Sequence, residues 1–140
     1  MSDHDIEIVK QYFKQDQFAR ENGIELVSIE RGKATARMQI TEKHYNAFGI
    51  AHGGALFSLA DIAFAAAANT HGVVSLSISV TMSYIKARSN GVLTAYAYEV
   101  SSSRKLGTYR VDIKDEEDKI VAIFEGMVYR KEDKLKDCIR

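Results

Sequence analysis

One carboxylate, Asp61, stands alone in a run of small and apolar residues from Ala55 to Ala68. A charge so placed is costly to bury unless something pairs it or uses it. No lysine or arginine lies between Lys43 and Lys86, so a helical i,i+4 partner is absent. Apolar neighbours raise a carboxyl pKa and suit it to general-base or nucleophilic work. The plain alternative is a structural carboxylate that caps backbone or pairs with a distant base.

Ahead of Asp61 runs a loop from Asn46 to Gly54 that ends His52-Gly53-Gly54. Glycines at a helix start leave backbone N–H groups open at the positive end of the dipole. Gly53 and Gly54 can thus stabilise a developing oxyanion, where one donor is typically worth ~10²–10³ in rate. The triplet can also be no more than a flexible loop. His52 can order a carbonyl, act as a base, or fix the loop by bonding backbone. Asn46 can hydrogen-bond a substrate carbonyl or hold the turn. Gly53 and Asp61 are eight residues apart, or ~12 Å of helix rise. That is too far for both to act on one carbonyl from one chain. If both act, two chains must share each site, so dimerisation is a condition of the catalytic reading.

Other chemistries find little support. G-x-S-x-G, G-x-G-x-x-G and phosphate-loop patterns are absent. His4, His44 and His71 have no metal-ligand spacing, so no metal is expected. Net charge is zero over 140 residues, and basic residues do not cluster with aromatics, so no nucleic-acid partner is expected. No apolar run reaches the ~20 residues of a membrane span, and the acidic start carries no signal-like apolar segment. The single cysteine, Cys138, fits a reducing cytoplasm and makes a poor nucleophile in a charged tail.

The elements that must position these residues follow from patterning. Asp5 can cap a helix over Ile6–Ala19, ended by Asn22-Gly23. Ile24–Ile29 and Ala34–Ile40 read as a hairpin turning at Glu30-Arg31-Gly32. Gly54–Asn69, apolar on all sides, is a buried helix ended by His71-Gly72. Val74–Tyr84 alternates without a fault, with Val74, Leu76, Ile78, Val80, Met82 and Tyr84 on one face and serines and Thr81 on the other. That serine face is solvated or lies between subunits; Ser77 or Ser79 can orient water. Strands follow at about Gly91–Ser101, Leu106–Ile113 and Lys119–Tyr129, the first after the Asn90-Gly91 turn. Residues 131–140 are a charged tail expected to fray. The layout is one α+β domain over residues 1–140, with a sheet curled around one apolar helix.

Asn46-x-x-Gly49-x-x-His52-Gly53-Gly54, then Leu56 to Asp61, Phe64 and Asn69, closely resemble the signature of hotdog-fold acyl-CoA thioesterases, nearest the phenylacetic-acid-degradation subgroup. The resemblance covers about residues 20 to 130. It implies a curved antiparallel sheet wrapped around a long central helix, and homodimers joined sheet edge to sheet edge that commonly pair into homotetramers. Asp61 matches the catalytic carboxylate, and Gly53 the residue whose N–H polarises the thioester carbonyl. Asn46 and His52 match loop positions near that carbonyl, with Gly54 beside them, and Ser77 lies about where some relatives place a water-orienting serine. Relatives often carry Arg-Pro-Gly where this chain has Lys86-Ala87-Arg88-Ser89-Asn90-Gly91. Lys86 and Arg88 can hold coenzyme A phosphates or be plain surface charge. Phe57, with Phe48 and Phe64, can line an aryl or medium-chain acyl pocket or belong to the core. Coenzyme A is part of the substrate, so no separate cofactor is implied. A non-catalytic acyl-CoA-binding protein of the same fold is the competing reading.

Overall fold

The computed structural model describes residues 2–140. Two short helices, α1 (Asp3–Phe13) and α2 (Gln17–Glu21), precede a hairpin of β1 (Ile24–Glu30) and β2 (Lys33–Gln39). The long helix α3 (Gly53–Asn69) follows. The chain then forms β3 (Val73–Tyr84), β4 (Val92–Ser102), β5 (Leu106–Lys114) and β6 (Ile120–Lys134). The six strands make one antiparallel sheet in the order β1-β2-β4-β5-β6-β3, and α3 touches every one of them. This is the hotdog architecture.

Side-chain size sets how α3 lies on the sheet. Ala66, Ala67 and Ala68 are fully buried, and the sheet offers small residues in return: Ala34 pairs with Ala97 and Ala36 with Ala95 across β2 and β4. Such surfaces let a helix approach closely and keep interior density high. Just before these alanines bulk meets a gap. The Phe64 ring lies over Gly126 of β6, where a Cβ would stand 2.8 Å from its Cζ, and Tyr109 and Phe124 pack against it at ring centroid separations of 5.7 and 5.2 Å. One stripe of α3 stays uncovered: Gly54 is exposed, and Ser58, Asp61 and Ala65 are half-buried.

Three expectations need correction. The single N-terminal helix is two helices. Ser2 caps the first through a capping box with Asp5, rather than Asp5 capping it, and Asp16 caps the second by accepting the Ala19 N–H at 2.9 Å. Local cap chemistry wins over the loose apolar stripe. The charged tail is ordered structure as well. β6 runs to Lys134, and a 3₁₀ turn at Leu135–Cys138 buries Leu135 completely against Val9, Ile29 and Val74. One well-buried leucine offsets the polar residues around it.

The third correction concerns β3. Its faultless alternation does not survive in the sheet, because its register with β6 skips Ile78. Ser77 faces Val128, Val80 faces Gly126 and Met82 faces Phe124, all on the helix side. Leu76 pairs with Tyr129 on the outer side, and both are exposed. A bulge inserts one residue and exchanges the two faces. Ser77 therefore shares the helix-facing side with Val80 and Met82, while Ser79, opposite Met127, lies on the other.

The C-terminal end of α3 is pinned by a polar network. Glu99 Oε1 accepts from Tyr109 Oη at 2.8 Å, His71 Nε2 at 2.7 Å and Arg130 Nη2 at 3.3 Å. Burial alone would raise the Glu99 pKa, yet the Tyr109 and His71 hydrogen bonds hold it below the usual range. Arg130, itself buried, also bonds the Leu106 carbonyl at 2.8 Å. Arg130→Met should cost about 3 kcal/mol in urea unfolding at pH 7, the low end for a broken buried pair. The low end applies because the Glu99 side chain keeps 27% exposure.

Candidate active site

The loop before α3 is built by its own side chains. Asn46 Oδ1 accepts the N–H groups of Phe48 at 2.9 Å and Ile50 at 3.3 Å. That closes the turn and leaves the Asn46 amide nitrogen without a partner among the described residues. Ala51 then donates its N–H to the Arg88 carbonyl at 2.9 Å, tying the loop to the segment after β3.

His52 is the N-cap of α3. Its Nδ1 accepts the Gly54 N–H at 2.8 Å, and its carbonyl accepts from Ala55 at 2.9 Å and Leu56 at 3.2 Å. With Nδ1 an acceptor, the neutral ring carries its proton on Nε2. The first-turn donors are thereby allotted. Gly54 is committed to His52, which removes it as a ligand donor in this arrangement. The Gly53 N–H alone in that turn has no partner among the described residues. A free N–H at a helix N-terminus is a donor aimed at whatever negative charge arrives.

Asp61 lies two turns along α3 on the uncovered stripe. It makes no hydrogen bond and no ion pair among the described residues. Its pKa is raised, first because burial penalises the charge and second because the Asp16 carboxylate repels it. Nothing in the described structure pairs this carboxylate. Asp16 was missed by sequence reasoning. It lies 45 positions upstream, and nothing local relates it to Asp61.

The remaining candidates fall around this frame. Phe57 is half-buried with its ring 5.6 Å from that of Phe124, and Phe64 is core. Phe48 is 86% exposed on the loop. Lys86 Nζ and Arg88 Nη1 approach Asp115 Oδ2 at 3.7 and 3.4 Å. The Asp115 side chain is 1% exposed, and its other oxygen accepts the Glu117 and Lys119 N–H groups. Those backbone bonds, with the two cations, hold its pKa below the usual range. The two basic residues are thus anchored rather than free surface charge. Tyr84, at the end of β3, was also missed: its hydroxyl donates to the Gly53 carbonyl at 3.0 Å.

A six-stranded antiparallel sheet packed on one long buried helix is the fold of the hotdog thioesterases. Residues 48–122 match the family described as the Thioesterase superfamily, and the chain belongs to it. Over 119 residues it is 34% identical to the acyl-coenzyme A thioesterase PaaI of Escherichia coli, covering 84% of this chain and 85% of that one. It is 30% identical over 104 residues to the 1,4-dihydroxy-2-naphthoyl-CoA hydrolase of Listeria monocytogenes, covering 72% and 85% of the two chains. The solved structure of the E. coli PaaI protein superposes with a TM-score of 0.90 at 31% identity, over 94% of this chain and 96% of that one.

Proposed function

We propose that this protein hydrolyses acyl-CoA thioesters to the carboxylic acid and free coenzyme A. The observation that carries the reading is the pair on one helix formed by Asp61 and the Gly53 N–H, neither of which has a partner among the described residues. The Gly53 N–H stabilises the charge that develops on the thioester oxygen as the carbonyl carbon becomes tetrahedral. Asp61 supplies the other half. As a general base it takes a proton from the attacking water; as a nucleophile it forms a mixed anhydride that water then opens. Either route breaks the C–S bond and releases the coenzyme A thiol. The names of the E. coli and Listeria relatives, both acting on coenzyme A esters, support the leaving group.

The two groups are separated by ~12 Å of helix rise, so each site takes Gly53 from one subunit and Asp61 from another. The uncovered stripe of Gly54, Ser58, Asp61 and Ala65 is the surface a second copy would meet. A homodimer, and a tetramer formed from two dimers, follow from this reading. His52 Nε2–H and the Asn46 amide stand beside the carbonyl position, Ser77 can orient water, and Phe57 borders the acyl group. Lys86 and Arg88, steadied by Asp115, serve the coenzyme A phosphates. The substrate class is aryl-acetyl or short to medium acyl groups, and the reducing cytoplasm is the compartment that fits its single free thiol.

A free-thiol release assay across an acyl-CoA panel tests the reading. Turnover with at least one member is expected. Tight binding of the panel without thiol release would instead make the protein a non-catalytic binder. A second expectation concerns pH. The acid limb of kcat/KM reports protonation of Asp61 and should lie above the ordinary 3.8. Asp16→Asn keeps the α2 cap but removes the second cause of the raised pKa, so the limb should move to lower pH. An unmoved limb would show that Asp16 does not act on Asp61.

A further inference from the structure

Gly53 does not owe its glycine to backbone strain. It lies in the helical first turn, outside the positive-φ residues of the chain. What crowds a side chain there is Tyr84. A Cβ on Gly53 would stand 3.2 Å from Tyr84 Cζ, 3.3 Å from its hydroxyl and 3.4 Å from Cε1. The same hydroxyl donates to the Gly53 carbonyl at 3.0 Å. The ring thus lies along the Cα of Gly53 while its hydroxyl holds the peptide that follows. Tyr84 is itself held by sheet pairing opposite Ala122 of β6, and the next two N–H groups, of Ile85 and Lys86, both bond the Val121 carbonyl. The ring remains 54% exposed, beside the one open N–H of the α3 first turn.

We infer that Tyr84 is a positioning residue for the oxyanion donor: it holds the peptide after Gly53 against the sheet and disfavours any side chain at that position. The inference rests on the proposed role of the Gly53 N–H. Two contacts fix the peptide that joins Gly53 to Gly54: His52 Nδ1 occupies its N–H and the Tyr84 hydroxyl its carbonyl. The preceding peptide, which carries the Gly53 N–H, is held by its His52 carbonyl, which accepts from Ala55 and Leu56. Between them the Gly53 N–H is left as the free group, with little freedom to tilt. An oxyanion donor works because it need not reorganise when charge develops, so loss of this restraint lowers kcat rather than substrate affinity. The exposed ring also forms one wall beside the donor and keeps water from competing on that side.

The test uses the intact protein with its best acyl-CoA. Tyr84→Phe keeps the ring and deletes only the hydroxyl. kcat should fall about tenfold with KM within about twofold, as loss of a restraint on one donor predicts. The thermal midpoint should stay close to that of the parent. Gly53→Ala should lower kcat by ~10²-fold or more in the parent, the cost of one displaced donor. In a Tyr84→Ala background the added methyl has room, so Gly53→Ala should cost at least about tenfold less there. Full kcat in Tyr84→Phe would overturn the inference. So would a fall matched by general destabilisation, or an equally large cost of Gly53→Ala in both backgrounds. Failure of the underlying reading looks different: Gly53→Ala would then keep parental kcat whatever stands at position 84.

Discussion

Asp61→Asn is expected to leave a folded protein whose acyl-CoA turnover has dropped by ~10²–10⁴-fold, the usual worth of a positioned acid–base group. Asp61→Ala should fall as far, because neither residue can take a proton from water or attack a carbonyl. A nucleophilic role predicts the deeper loss of the range, since no covalent intermediate can then form. The opposite effect is expected on stability. Burial raises the Asp61 pKa, so the folded state binds this proton more readily than the unfolded chain does. The stability linked to that proton is complete below the unfolded value of 3.8 and is lost as pH rises through the higher folded value. At neutral pH the folded protein therefore holds a charge it would be more stable without. Asp61→Asn removes the charge and keeps the shape, so the melting midpoint at pH 7 should rise by about 2–4 °C for each kcal/mol relieved. Thiol release and a thermal melt on the same preparations check both. Near-parental turnover in Asp61→Asn would end the proposed mechanism. A lowered midpoint would mean that the carboxylate has a stabilising partner.

The second large effect concerns which chain supplies which group. An Asp61→Asn subunit keeps its Gly53 N–H, and a Gly53→Ala subunit keeps its carboxylate. Each homo-oligomer should be nearly inactive. Co-refolded in equal amounts, they form hybrids in which one of two composite sites has both working groups and the other has neither. Random pairing makes half the dimers hybrid, each with half its sites intact, so activity should recover to about one quarter of the parent. If one chain supplied both groups, mixing would restore nothing. The expected difference is from background to a quarter of full activity, which ordinary thiol detection resolves, and mass analysis of tagged subunits confirms that hybrids formed.

Much of the site was legible before folding because it is local. The loop from Asn46 to Gly54 and the helix after it are one continuous stretch, and helix geometry fixes the distance from Gly53 to Asp61. The glycines and the lone carboxylate led to the expectation of two half-sites and a second subunit. The loop side chains are ambiguous in sequence for another reason. Whether His52 or Asn46 braces the loop or faces substrate depends on which of its atoms the loop uses. His52 spends Nδ1 on Gly54, and Asn46 spends its oxygen on Phe48 and Ile50. Each keeps a nitrogen-borne hydrogen without a partner among the described residues, so bracing and substrate contact are compatible in both. Gly54 is not in the same position, since its only backbone donor is consumed.

The amino-acid order by itself determined the α+β class, the buried helix and the lone carboxylate within it, and its motif resembled the hotdog thioesterases. The first three follow from periodicity and residue placement, both short-range properties, and the resemblance rests on one continuous stretch, Asn46 to Asn69. Tertiary structure alone decided the rest. The bulge at Ile78 carried Ser77 to the helix side of β3 because strand pairing with β6, not the alternation within β3, sets which face a residue takes. The tail folded because Leu135 found Val9, Ile29 and Val74, residues far away in sequence. Tyr84 came to lie on Gly53, and Asp16 came near enough to Asp61 to raise its pKa, across 31 and 45 positions of chain. Contacts of that range arise only when the sheet closes over the helix, so no local pattern encodes them.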